Sequence, residues 1–223
     1  EAPLVVAAID AAVQRCVPES VLLESAVTMK TGESYPVETL TARLTAAGYV
    51  RCQQVEGPGQ FALRGGILDV FSPAMEQPVR CEFWDDELDA MGAFDVTTQR
   101  RVHNLNETLL LPAGEVLPFR TVDTAEKAAA ALEAAAKKLK RKTDAQPLLR
   151  QLESDANALR QGIAPNGSDR YLAAVYPEKT TALDYLPENA IVCVCEGGRV
   201  SEGLKGWLWQ LKEDVSAAAE NGF

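Results

Sequence analysis

The sequence predicts a mixed α+β fold, and three observations carry that prediction. Between residues 50 and 94, short apolar-rich runs alternate with Gly, Pro and Asp turn signals, the pattern of strands joined by hairpins. Just before them, Val37, Leu40, Leu44 and Ala47 recur at helical spacing between Pro36 and Gly48. After residue 122 the chain becomes alanine-rich and helix-patterned.

Along the chain, residues 3–8 (PLVVAA) read as a short buried strand. They lack an initiator Met and a basic signal-peptide flank, so the expectation is a strand belonging to a longer protein. Ile9, Val13 and Cys16 then follow helical spacing up to Pro18. Residues 21–34 read as a strand with a Thr-Gly turn. The helix opened by Pro36 comes next. Residues 49–73 then read as strand, Gly-Pro-Gly turn, strand, tight Gly65-Gly66 turn and strand, with Pro73 as a stop because it has no N–H for a ladder. Val79, Cys81 and Phe83 alternate on one face of a further hairpin whose turn is Asp85-Asp86-Glu87. The run TLLLPA is another strand. The elements before it form a small α+β module from about residue 12 to 96, and TLLLPA belongs to the segment that follows.

In the remainder, Thr124 or Asp123 caps a helix with Glu126 in its first turn. Lys137, Lys138, Lys140, Arg141 and Lys142 crowd its last turn, where the helix dipole favours cations, although the same cluster would also suit a phosphate. A second amphipathic helix, a loop at Asn166-Gly167-Ser168, a buried strand at AIVCVCE and a terminal helix with Trp207 and Trp209 complete the reading. Those tryptophans are two apart and cannot share one helical face.

The 223 residues are 47% hydrophobic and 24% charged, enough to bury a core. A net charge of -10 argues against general nucleic-acid binding, which needs cations to displace counterions from phosphates. No apolar run approaches the ~20 residues of a membrane span. Cys16, Cys52, Cys81, Cys193 and Cys195 match no zinc spacing and suit a reducing cytosol. There is no G-x-x-x-x-G-K-[ST] phosphate cradle, and Gly57-Pro58-Gly59 is a turn. His103, the only histidine, has no nucleophile signature beside it. The expectation is a binding or scaffold protein with no catalytic residues and no metal or cofactor of its own.

Within it, Arg64 stands out: one permanent charge at the tip of an apolar hairpin, FALRGGILDVFSP. Its planar fork suits a carboxylate on another protein. A cross-strand salt bridge to Asp69 or Glu82 is the alternative reading.

Longer motifs narrow the choice. The run Arg64-Gly65-Gly66-Ile67-Leu68-Asp69-Val70-Phe71, then Phe94-Asp95, Gln99-Arg100 and Pro112-Ala113 with Glu115, and later DRYLAAVYPEKTTALDYLPENAIV, resembles the bacterial transcription-repair coupling factors, the Mfd family. The similarity covers residues 3 to 200. It implies a helicase-like domain split by an insert: residues 1–11 as the end of the first half, 12–96 as the inserted UvrA-binding domain, and 97–223 as the second half. The implied function is recruitment of UvrA in transcription-coupled nucleotide excision repair, in the bacterial cytoplasm. The translocase motor with its ATP and magnesium, and the contacts with DNA and RNA polymerase, are implied for domains outside this chain. A C-terminal domain of the parent that covers the same surface is implied as an intramolecular partner.

The resemblance also implies site residues. Arg64 matches the turn arginine of the family's UvrA surface. The upstream arginine position falls on Val50, with Arg51 one place later. Leu68 and Phe71 are the apolar complement. Three alternatives stand beside this reading: the homologous repair helicase subunit UvrB, a helicase piece with residual nucleotide hydrolysis, and a purely autoinhibitory docking module. The Leu111-Pro112-Ala113-Gly114-Glu115 stretch favours the coupling factor over UvrB, and the missing phosphate cradle argues against hydrolysis.

Overall fold

Alternating burial sets the strands and 3.6-residue burial sets the helices. The computed structural model describes residues 4–140 and 146–220. In chain order the elements are α1 (Ile9–Val13), α2 (Glu19–Ser25), β1 (Val27–Lys30), α3 (Val37–Ala46), β2 (Val50–Arg51), β3 (Gln60–Arg64), β4 (Ile67–Phe71), β5 (Val79–Trp84), β6 (Glu87–Phe94), β7 (Arg101–Asn104), β8 (Glu107–Leu110), α4 (Val122–Lys140), α5 (Gln146–Arg160), α6 (Leu172–Val175) and α7 (Gly197–Glu220), with 3₁₀ turns at Ser168–Tyr171 and Ala182–Tyr185. The expected mixed α+β fold is therefore observed. The chain divides into two compact units, Ser20–Thr124 and residues 4–19 with 125–220.

The first unit is built on a six-stranded sheet of order β2-β3-β4-β5-β6-β7. β2 pairs with β3 in parallel and every other neighbour is antiparallel. A second, two-stranded ribbon pairs β1 with β8. One face of the large sheet supplies Phe61, Leu68, Val70, Val79, Cys81, Leu88 and Met91 to a core closed by Leu40 and Leu44 of α3 and by Val27, Met29 and Leu110 of the ribbon. Burying each such side chain contributes about 1.5–3 kcal/mol. Leu40 and Leu44 lie four apart, so both fall on the single stripe that α3 turns inward. The opposite face, called outer below, carries a smaller apolar cluster of Val55, Ala62, Phe71 and Phe94.

In the second unit, α1 packs on α7, where a Cβ at Gly203 would lie 3.7 Å from an Ile9 methyl. Arg160 of α5 reaches Glu126 and Glu133 of α4. Asp155, nearly buried, accepts from the Tyr171 hydroxyl, from Arg170 Nη2 at 2.9 Å and from Gln151 Nε2 at 2.8 Å. Lys137, Lys138 and Lys140 do occupy the last turn of α4. Arg141 and Lys142 lie outside the described residues.

Several expectations are corrected. Leu4, Val5 and Val6 are 91%, 73% and 88% exposed and form no strand. AIVCVCE is likewise exposed and unpaired, with Ile191, Val192, Val194, Cys193 and Cys195 all on the surface. An apolar run has strand character only where a neighbouring ladder accepts its N–H and C=O groups, and among the described residues neither run has one. The stretch from residue 19 to 25 is helix α2 rather than strand. Pro18 precedes it, Glu19 sits in its first turn, and Val17 and Val21 are buried four residues apart. Glu87 belongs to β6, opposite Trp84, so the β5–β6 turn is Asp85-Asp86 alone, with Asp85 at φ 57.

Candidate protein-interaction surface

The outer face is organised in rows that the register dictates. Arg64, Ile67, Glu82 and Ala90 lie side by side across β3 to β6, and Ala62, Asp69, Arg80 and Gly92 form the next row. Alternation along β5 sends Val79, Cys81 and Phe83 inward and leaves Arg80, Glu82 and Trp84 outward. The row positions are held by the tight turn between β3 and β4. Gly65 adopts φ +60. At Gly66 a Cβ would lie 2.7 Å from the Phe83 carbonyl oxygen, so only glycine lets the turn dock on β5 there.

Asp69 is the hub of this face. Its carboxylate is 0% exposed and accepts from Arg64 Nη2 at 2.7 Å, Arg80 Nε at 2.7 Å and Arg80 Nη2 at 2.8 Å. Two guanidinium groups thus neutralise one buried carboxylate, the condition under which such burial is tolerated. Arg80 also donates to the Gln99 carbonyl at 3.1 Å and to Gln99 Oε1 at 3.0 Å, and its Cζ lies 4.4 Å from the centre of the Phe94 ring. Hydrogen bonding to Asp69 holds the Arg80 proton more tightly than usual. Gln99 is presented by a turn in which Thr98 donates its N–H and hydroxyl to Asp95 Oδ1. Those bonds hold the Asp95 carboxyl below the usual range. Beside this group, Arg101 pairs with Glu82 and donates to Asn104 Oδ1.

Of the residues named from the sequence, Arg64 is on this face and 46% exposed. It makes the Asp69 salt bridge and still presents half of its side chain to solvent. Arg51 is exposed but lies in register with Phe61, an inward residue, so it faces away from Arg64. Val50 and Cys52 take the Arg64 side instead, with Val50 paired to Gln60. Leu68 is 0% exposed in the α3-side core, and Phe71 is 8% exposed within the outer cluster. Neither offers a partner much surface in this conformation. Reading from the sequence missed Arg80, Gln99, Arg101, Ile67 and Trp84. The alternation on β5 was the signal for Arg80 and Trp84, because the residues between Val79, Cys81 and Phe83 must point outward.

A cavity of about 240 Å³ lies elsewhere in the same unit, lined by Glu24, Arg43 and Arg120 among others. Its arginines are engaged internally: Arg120 Nη1 donates to Glu24 Oε2 at 2.5 Å and Arg43 Nη2 to the Ala26 carbonyl at 3.2 Å. The outer sheet face is the better candidate, because there a charge is both fixed and accessible.

Part of the sequence matches a described domain family. Residues 27–115 match the family model of the UvrB interaction domain. The resemblance to the transcription-repair coupling factors, read from the motifs, holds over nearly the whole chain. It is 32% identical to the transcription-repair-coupling factor of Bacillus subtilis over 204 residues, which is 91% of this chain and 17% of that protein. The Myxococcus xanthus protein of the same name is 31% identical over 222 residues, 98% of this chain and 18% of that protein. The Escherichia coli protein is 40% identical over 102 residues, 46% of this chain and 9% of that protein. The chain therefore spans less than a fifth of the length of these relatives. The whole outer face described above falls within the UvrB interaction domain match, as do the Gly65-Gly66 turn and Asp69.

Proposed function

We propose that this chain recruits UvrA in transcription-coupled nucleotide excision repair and works by docking rather than by catalysis. The observation that carries the reading is Arg64: a half-exposed guanidinium, held at the end of a rigid hairpin by a buried carboxylate, inside a region matching the UvrB interaction domain. A bracing carboxylate lowers the entropy lost when the arginine is gripped by a partner. The naming of the relatives as transcription-repair-coupling factors supplies the pathway. The parent protein, on this reading, is an ATP-dependent DNA translocase that acts on RNA polymerase through domains outside the chain.

Calorimetric titration of the chain with purified bacterial UvrA, beside its Arg64→Glu variant, tests the proposal. Binding by the wild type and its loss in the variant is the expected result. A folded wild-type chain that gives no heat with UvrA would overturn it.

A further inference from the structure

Trp84 is 82% exposed at the end of β5. It contributes nothing to either core cluster, since its strand neighbours Cys81 and Phe83 face inward and it pairs across only with Glu87. It continues the outward series Arg80, Glu82, Trp84 and stands past the row that holds Arg64 and Ile67, the latter 38% exposed. The Phe83 N–H to Gly66 carbonyl bond of 2.7 Å joins the two hairpin ends, so Trp84 and Arg64 belong to one continuous rim. An exposed indole beside a braced arginine is the composition that dominates binding energy at interfaces.

Charge defines the occupant. The chain carries -10 overall, yet Arg64, Arg80 and Arg101 gather on this one face. Their internal acceptors, Asp69 and Glu82, leave Arg64 about half open and Arg101 about a third open. A partner that covers the rim must bring carboxylates to the arginine side and an apolar recess for the indole at the hairpin end. Asp85, exposed beyond Trp84, repels those carboxylates and so fixes the orientation of docking, whereas the Asp86 carboxylate is turned to the Val37 N–H of α3.

We infer that Trp84 is the apolar anchor of the docking surface, filling an apolar recess on UvrA whose flanking carboxylates meet Arg64 and Arg101. This rests on the proposed function and adds a second, chemically different contact to it. Trp84 is a clean probe, because truncating a side chain that is exposed and outside the cores leaves the fold intact.

The experiment titrates UvrA with the wild-type chain, Trp84→Ala and Arg64→Glu. A parallel Trp207→Phe/Trp209→Phe chain, labelled with 5-fluorotryptophan, reports on position 84 alone by fluorine NMR. The expected outcome is a loss of about tenfold or more in affinity for Trp84→Ala, with a shifted and broadened fluorine signal on binding. If Arg64→Glu abolishes binding while Trp84→Ala binds like the wild type and the fluorine signal stays put, the inference fails and the proposed function survives. If the wild type does not bind UvrA, both fail.

Discussion

Replacing Asp69 by asparagine removes the charge that holds two arginines and keeps the side-chain volume. The structure sets the scale. Asp69 is 0% exposed, Arg80 18% and Arg64 46%. Removing one partner of a buried ion pair typically costs about 3–5 kcal/mol. Here the orphaned Arg80 keeps the two oxygens of Gln99 and the Phe94 ring, and Arg64 swings into water, so the lower end applies. Asp69→Asn is expected to destabilise the first unit by about 3 kcal/mol. Arg64→Ala takes away one of three donors and leaves the two from Arg80, so about 1 kcal/mol is expected. The assay is urea unfolding of the whole chain, with pulsed thiol labelling of Cys81, 0% exposed in the folded core, reporting on this unit. The midpoint should fall in both variants with the slope unchanged. The reasoning is refuted if Arg64→Ala costs as much as Asp69→Asn, or if Asp69→Asn stays within about 0.5 kcal/mol of wild type. The asymmetry has a functional consequence: because Arg64 is cheap to remove, lost binding in its variants reports a lost contact and not a lost fold.

Two further outcomes follow from the titratable groups. Cys193 and Cys195 are exposed, whereas burial encloses Cys81 and pushes its thiol far up. A thiol reagent at neutral pH should therefore modify Cys193 and Cys195 quickly and reach Cys81 only on unfolding; fast native labelling of Cys81, mapped by mass spectrometry, would contradict the described core. Burial, reinforced by its bond to Asp155, pushes the Tyr171 hydroxyl up to about 12. Its folded pKa lies above the unfolded value, so its contribution is complete below about pH 10 and is lost as pH rises through the folded value. The second unit should accordingly lose stability in strong base, and Tyr171→Phe should flatten that decline in an alkaline unfolding series followed by circular dichroism.

Local pattern was sufficient where one residue type admits one conformation. The Gly65-Gly66 turn, the β3–β4 and β5–β6 hairpins, α3 between Pro36 and Gly48, and the long helices α4, α5 and α7 are all legible in the sequence, because glycine at positive φ, apolar alternation and helical spacing act within a few residues. The position of Arg64 at a hairpin tip followed from the same local rules. What the tertiary structure decided depends on partners distant in the chain. The apolar runs at residues 4–6 and 191–194 have strand composition but no ladder, since pairing is a property of two segments. Which face Arg51 takes depended on its parallel register with β3, where a shift of one residue reverses a side chain. Leu68 is buried on the inner face under α3, and Phe71 on the outer face beside Phe94, because each side of the sheet has its own cover. The choice among acceptors for Arg64, between Asp69, Glu82 and solvent, was settled by Arg80 and Gln99, which arrive from β5 and from the turn after β6 and make burial of the Asp69 charge affordable.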